Sequence, residues 1–384
     1  MKKVYMDYAA TTPVDTRVVQ AMKPYFSEKY GNSMSLHSSG REAKQALEDS
    51  REMVASLMNA GAKKLIFTGS ASESDNLALK GIAFANRKKG KHLIVSSIEH
   101  DAVLKPAKWL EEQGFEVTYL PVDQYGLVDL NTLENAIRKD TILVSIIFGN
   151  NEIGVIQDIE KIGKICREKG VYFHSDATQA FGKVPIDVKK MNIDLLTVNA
   201  HKMYGPKGVG CLYIGDYIKV DPLIHGGGHE FGLRSSTINV AGIVGFAKAV
   251  EIQKKEMKEE AKKLTKLRDK LIDGVLEIEN SHLNGHPTKR LPNNTNFWFA
   301  FIEGESLILH LDMKGVEAST GSACSSSSLE PSHVLIAIGL KHEQAHGSLR
   351  LTLGKQNNES DVDYVLEVLP EIVKNLRMIS PFKR

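Results

Sequence analysis

The sequence predicts an α/β protein: a seven-stranded, mostly parallel sheet with one antiparallel strand, followed by a smaller α+β domain. Three observations carry this expectation. Short β-rich runs recur up to Ile214, several of them continuously apolar. Helical patterns separate most of these runs. After about residue 240 the alternation stops and a long, charged helical pattern leads into a different texture.

The β-rich runs are Lys64–Thr68, His92–Ser96, Phe115–Leu120, Ile142–Phe148, Val171–Asp176, Asp194–Asn199 and Val209–Ile214. Ile142–Phe148 is apolar but for Ser145, which suits a strand covered on both faces. Helical spacing recurs at Glu73–Asn86, Ala102–Gln113, Leu130–Arg138 and Ile159–Lys169. Such alternation builds parallel strands joined by right-handed crossovers. Only about nine residues separate Asn199 from Val209, too few for a helical crossover, so Val209–Ile214 is expected to run antiparallel. Ala241–Glu279 reads as one long helix or two in tandem, with the charges of Lys254–Lys270 forming a solvated face. Beyond it come an extended run at Thr295–Ile302, a helix near Glu305–Met313 and a low-complexity stretch at Ser319–Ser328. A helix at Pro331–Ile338, a strand at Leu349–Leu353 and a last helix at Ser360–Asn375 complete the pattern. The expected division is a large domain over residues 14–257 and a small one built from 1–13 and 258–384, bridged by the long helix.

Composition narrows the function. The chain has 384 residues, 42% hydrophobic and 25% charged, which excludes a disordered chain, a collagen and a disulfide scaffold. A formal net charge of +2 gives no support for a nucleic-acid or anionic-membrane partner. No apolar run approaches the roughly 18 residues of a membrane span. Met1–Asp7 has basic residues without an apolar region behind them, so no signal peptide is expected. Cys166, Cys211 and Cys324 are odd in number and far apart. They fit a reducing, cytoplasmic setting rather than a disulfide framework or a metal cluster.

Lys202, in Ala200-His201-Lys202-Met203-Tyr204-Gly205-Pro206, follows a buried strand beside a histidine. Desolvation there lowers an amine's pKa and frees it to form an imine; a plain surface lysine is the competing reading. An imine-forming lysine that serves pyridoxal phosphate needs an acid for the pyridinium nitrogen, an anion site for the phosphate and a group over the ring. Asp176 ends an apolar strand, where ligands of open α/β sheets collect, or else caps a helix. Gln179 stands three residues on, within reach of a ring hydroxyl. Thr68–Glu73 lies between strand and helix, offering free N–H groups to phosphate or simply a capping box. His100 also follows a strand; it could stack on a pyridine or be structural. Cys166 and Cys211 fall on apolar faces and read as core thiols. Cys324 sits in a Gly/Ser-rich loop and is a candidate nucleophile. Arg350, inside an apolar strand, wants an anion, either a substrate carboxylate or a structural Asp/Glu.

At these residues the chain resembles the cysteine desulfurases of the NifS/IscS-like kind, fold-type I pyridoxal-phosphate enzymes of the class V aminotransferase group. The resemblance runs from Tyr5–Pro13 through Gly31-Asn32-Ser33, Phe67–Asn76, Glu99-His100, Asn150–Gly154, Asp176–Gln179, His201–Gly208, Arg234–Thr237 and Gly321–Cys324 to Ser348–Gly354. It implies that Lys202 holds the cofactor, His100 stacks on its ring, Asp176 pairs the ring nitrogen, and Gln179 the phenolic oxygen. Asn151 would lie near that oxygen and the substrate. Ala71, Ser72 and His201 would bind phosphate, and Thr237 would reach the phosphate of the neighbouring subunit. Arg350 would hold the substrate carboxylate. Cys324 would take sulfur from L-cysteine as a persulfide, leaving L-alanine. A homodimer and a sulfur-acceptor protein, such as an iron–sulfur scaffold, are implied with it. A selenocysteine lyase on the same scaffold is the alternative reading. The sequence departs from the family pattern at Asn199, where a phosphate-binding Ser is usual, at Ser72 for Thr, at the order Gly69-Ser70, and at Ser33 for Pro.

Overall fold

The computed structural model describes residues 2–321 and 330–380. Its main sheet contains β2 (Leu65–Thr68), β3 (His92–Ser96), β4 (Glu116–Leu120), β5 (Thr141–Ser145), β6 (Tyr172–Asp176), β7 (Leu195–Asn199) and β8 (Gly210–Ile214). Strand β1 (Val4–Tyr5) lies outside it. The order is β2-β8-β7-β6-β5-β3-β4. Strand β8 is antiparallel to both neighbours, as the short connection from Asn199 demands; every other pair is parallel.

The strands alternate between two cores. Leu65, Phe67, Leu196, Val198, Cys211 and Tyr213 enter one apolar cluster. Ile66, Leu195, Leu212 and Ile214 enter the other. A period of two residues on a doubly covered sheet yields this division. Edge strand β4 is the exception, with most of its residues exposed or half-exposed.

The run Ile142–Phe148 forms a shorter strand than its apolarity suggests. Beyond Ser145 the pairing with β3 ends, where the Ile147 N–H turns to the Glu99 carboxylate at 2.6 Å, while Ile146 and Phe148 still donate to the His174 and Asp176 carbonyls of β6 at 3.1 and 2.9 Å. The region after residue 240 is led by a single 37-residue helix, Val240–Leu276, rather than two in tandem. Its charged stretch is mostly solvated, but Arg268 is buried and donates to the Leu291 carbonyl at 3.0 Å. A second sheet orders β12 (Ser348–Thr352), β10 (Asn294–Phe299) and β9 (Ser281–Leu283), all antiparallel, and β1 pairs with β11 (Val316–Glu317). Val4, Met6, Leu267, Leu271, Phe297, Leu349, Leu351 and Val365 join in a separate core here. The helices Thr16–Met22 and Ser38–Ser56 were not foreseen.

Cys166 and Cys211 are buried free thiols, as expected. Burial pushes the Cys166 thiol up to about 12. Cys324 and the rest of the low-complexity loop from residue 322 to 329 lie outside the described residues. No helix among the described residues is long and apolar enough to cross a membrane.

Candidate active site

The carboxyl ends of β2, β3, β5, β6 and β7 share one edge of the sheet, and the candidate residues gather along it. Asp176 ends β6 and is buried. Its Oδ1 accepts the Thr178 N–H at 2.8 Å, and residues 178–183 are turns, so it caps no helix. On the adjacent strand, β7 ends at Asn199 and Lys202 follows in the next turn. The Lys202 Nζ donates to the carbonyls of Ala9 at 2.5 Å and Ala10 at 2.6 Å. Gln179 Nε2 donates to the same Ala9 oxygen at 2.9 Å. The N-terminal segment thus lies across the ends of β6 and β7 and brings the lysine and the glutamine together. It is fastened there by Thr12, whose N–H meets the His201 carbonyl at 3.1 Å and whose hydroxyl accepts the Tyr204 N–H at 2.8 Å.

His201 is half-buried, with Nδ1 3.1 Å from the Thr11 hydroxyl. Burial and the cationic Lys202, Lys207 and Lys183 push its pKa down to about 4, so it is neutral near pH 7. Lys183, whose Nζ donates to the Gln179 carbonyl at 2.9 Å, is pushed down to about 7 by burial and by Lys202.

The turn after β2 opens the helix Ala71–Asn86. Ser70 caps it by accepting the Glu73 N–H at 3.1 Å. The box is only half made, because the Glu73 carboxylate turns to the Gly69 N–H at 2.8 Å and to Arg234. Ser72, in the first turn of this helix, and Thr237, in the segment before Val240, are exposed.

His100 caps the helix Asp101–Glu112, its Nδ1 accepting the Ala102 N–H at 3.0 Å. In the neutral ring the proton therefore sits on Nε2. His100, Asn151 and Arg350 line one cavity of about 390 Å³, with Glu99, Glu152, Gly321 and Ser332. Arg350 is 4% exposed. It donates to the Asn151 carbonyl at 3.1 Å and to Asp7 Oδ1 at 3.0 Å, and its Nε has no partner among the described residues. The structural carboxylate expected for such an arginine exists, and one guanidinium nitrogen, Nε, is left unbonded among the described residues.

Several buried groups near this edge escaped the sequence reading. Glu99 accepts from the Ser96 hydroxyl and the Ile147 N–H, and burial pushes it up to about 8. His174, bonded to Ser145 at 2.8 Å and Thr197 at 3.0 Å, is pushed down to about 3 by burial. Asp75 lies 3.6 Å from His174 and is pushed well above the carboxylate range by burial and by Asp176. Glu152, raised by burial, takes the Ser332 hydroxyl at 2.5 Å. Glu99 lies in Ser97-Ile98-Glu99-His100 and Glu152 in Asn150-Asn151-Glu152-Ile153, polar turn segments that neither flag burial nor name their partners.

The residues fit pyridoxal phosphate. Half-buried Asn151 and buried Asn199 each have an inaccessible amide oxygen with no hydrogen-bond partner among the described residues, which a ligand can satisfy. A buried carboxylate stands beside the lysine, and a helix N-terminus opens on the same edge.

Comparison with known proteins agrees. Residues 4–365 match the aminotransferase class-V family, which defines the class: a pyridoxal-phosphate enzyme of fold-type I. A cysteine desulfurase IscS from Methanosarcina thermophila is 59% identical over 380 residues, covering 99% of this chain and 94% of the relative. Cysteine desulfurase IscS 1 of Archaeoglobus fulgidus is 55% identical, covering 99% of each chain. Among solved structures, a NifS-like protein superposes with a TM-score of 0.92 at 41% identity, covering 98% of this chain and 100% of that one. SspA in complex with cysteine superposes at 0.82 with 38% identity, over 91% and 99% of the two chains. The chain belongs to the class-V aminotransferase family, in its cysteine desulfurase branch.

Proposed function

We propose that this protein converts L-cysteine to L-alanine and receives the sulfur on Cys324 as a persulfide, for delivery to an acceptor protein such as an iron–sulfur scaffold. The observation that carries the reading is the meeting of Lys202 and Gln179 on the Ala9 carbonyl, at the ends of the strands that hold Asp176 and Asn199. The large domain over 14–257 and the small domain from 1–13 and 258–384 meet at that place.

Lys202, Asp176, Gln179, His100 and Asn151 would hold the cofactor, with Ala71, Ser72, Asn199 and His201 on its phosphate. When bound, pyridoxal phosphate supplies an electron sink for the bond to Cα. Asp176 keeps the site charged for a cationic ring nitrogen. The Lys202 Nζ, released from the Ala9 and Ala10 carbonyls, takes the proton from the substrate Cα as general base. Arg350 binds the substrate carboxylate through its free Nε and through donors drawn from Asp7. His100, which lines the cavity, serves as a proton carrier. The Cys324 thiolate attacks the substrate sulfur: an S–S bond forms, the Cβ–S bond breaks, and its electron pair returns to carbon, where a proton completes alanine.

The protein works as a homodimer in the cytoplasm in this reading. A broad exposed apolar set, Phe26, Tyr30, Met34, Leu36, Tyr217 and Phe231, supports a second copy. Thr237, also exposed, would reach the partner's phosphate. Size by light scattering and mapping of borohydride-fixed cofactor test the assembly and the lysine together. A cofactor adduct anywhere but Lys202 contradicts the assignment.

A further inference from the structure

Glu73 poses an electrostatic problem. It is the third residue of the helix Ala71–Asn86, whose N-terminus carries the phosphate in the function proposed above. A lone carboxylate is welcome at a helix start. A carboxylate beside an incoming phosphate dianion meets like charge. Arg234 answers that charge. Its Nε donates to Glu73 Oε1 at 2.8 Å and its Nη2 to Oε2 at 3.3 Å. The two side chains are only 19% and 20% exposed, so solvent screens them incompletely. The same carboxylate accepts the Gly69 N–H at 2.8 Å, and a Cβ on Gly69 would lie 3.0 Å from Oε2 and 3.6 Å from Arg234 Nη2. Turn, carboxylate and guanidinium therefore pack as one unit. Arg234 itself is set by its segment: Glu230, four residues earlier, is locked to Arg51 by two bonds of 2.8 Å and to the Phe67 N–H of β2 at 2.7 Å.

We propose that Arg234 is a positioning residue for the phosphate subsite: it neutralises Glu73 and holds the carboxylate on Gly69, so that the Ala71 and Ser72 end of the helix accepts a dianion. The inference rests on the reading of this turn as the phosphate subsite.

The test compares two ligands on apoprotein: pyridoxal 5′-phosphate and pyridoxal, which lacks the phosphate. Arg234→Met weakens pyridoxal 5′-phosphate by about tenfold or more, the scale of a partly buried charge at a helix start, and leaves pyridoxal unchanged. Glu73→Gln added to Arg234→Met restores most of the loss, because the unpaired charge is gone. Arg234→Lys, which keeps the charge and the fold, loses less than Arg234→Met. Equal losses for both ligands, no loss at all, or a double variant no better than Arg234→Met overturns the proposal. A wild-type protein that binds the two ligands equally refutes the phosphate reading itself, a distinct result.

Discussion

Replacing Glu230 by Ala destabilises the protein by about 3–5 kcal/mol, the cost of leaving one buried ion uncompensated. The size follows from what the carboxylate holds. Both partners of the pair are nearly inaccessible, Arg51 with 2% and Glu230 with 1% of its side chain exposed. Without Glu230, the guanidinium retains the Leu65 carbonyl at 2.8 Å and the exposed Glu48 at 3.3 Å. The Phe67 N–H loses its side-chain acceptor as well. The ring faces of Phe67 and Phe231, 4.9 and 5.2 Å from the guanidinium, cannot replace a full charge. Removing both charges with Arg51→Met and Glu230→Leu recovers most of the loss, since a buried pair replaced by apolar groups is often neutral. Urea titration of the apoprotein measures both variants. A single variant within about 1 kcal/mol of wild type, or a double as unstable as the single, refutes the argument.

Three further outcomes follow from the site. Lys202→Ala retains no borohydride-fixable cofactor, read by peptide mapping after reduction. Arg350→Lys raises the KM for L-cysteine about tenfold or more with a smaller change in kcat, because an ammonium cannot reproduce the fork shared by Asp7, Asn151 and a carboxylate. His201 binds its proton at about 4 when folded, against about 6.5 unfolded. Below pH 6.5 the unfolded chain takes up a proton that the folded one refuses, so stability falls with pH until about 4 and then levels. Allowing for its partial exposure, the loss between pH 6.5 and 5 is about 1 kcal/mol, and His201→Gln flattens it in urea titrations of the apoprotein.

The sheet was legible because its strands are buried on both faces and therefore written as apolar runs. The antiparallel β8 was legible from chain length alone. The helix Ser38–Ser56 was not, because its buried face includes Ser50 and Arg51 beside Ala43, Leu47 and Val54. Arg51 breaks the apolar period, and the residue that permits its burial, Glu230, is 179 positions away. Lys202, Asp176, Gln179 and His100 could be chosen from their places after strands. The meeting of Lys202 and Gln179 could not, since it runs through the backbone carbonyl of Ala9, which has no side-chain signature. Arg350 was recognised as needing an anion, yet Asp7, its partner, is 343 positions away. The two-residue strands β1 and β11 are too short to leave any pattern.

The most direct test of the account is the intact mass of cofactor-loaded protein after L-cysteine, without reductant, with the modified peptide mapped and alanine measured. The account predicts one added sulfur on Cys324 and release of alanine, with Cys324→Ala inactive on L-cysteine. An unmodified Cys324 in protein that carries the cofactor on Lys202, or full activity in Cys324→Ala, would contradict it and turn the function towards selenocysteine or another amino acid.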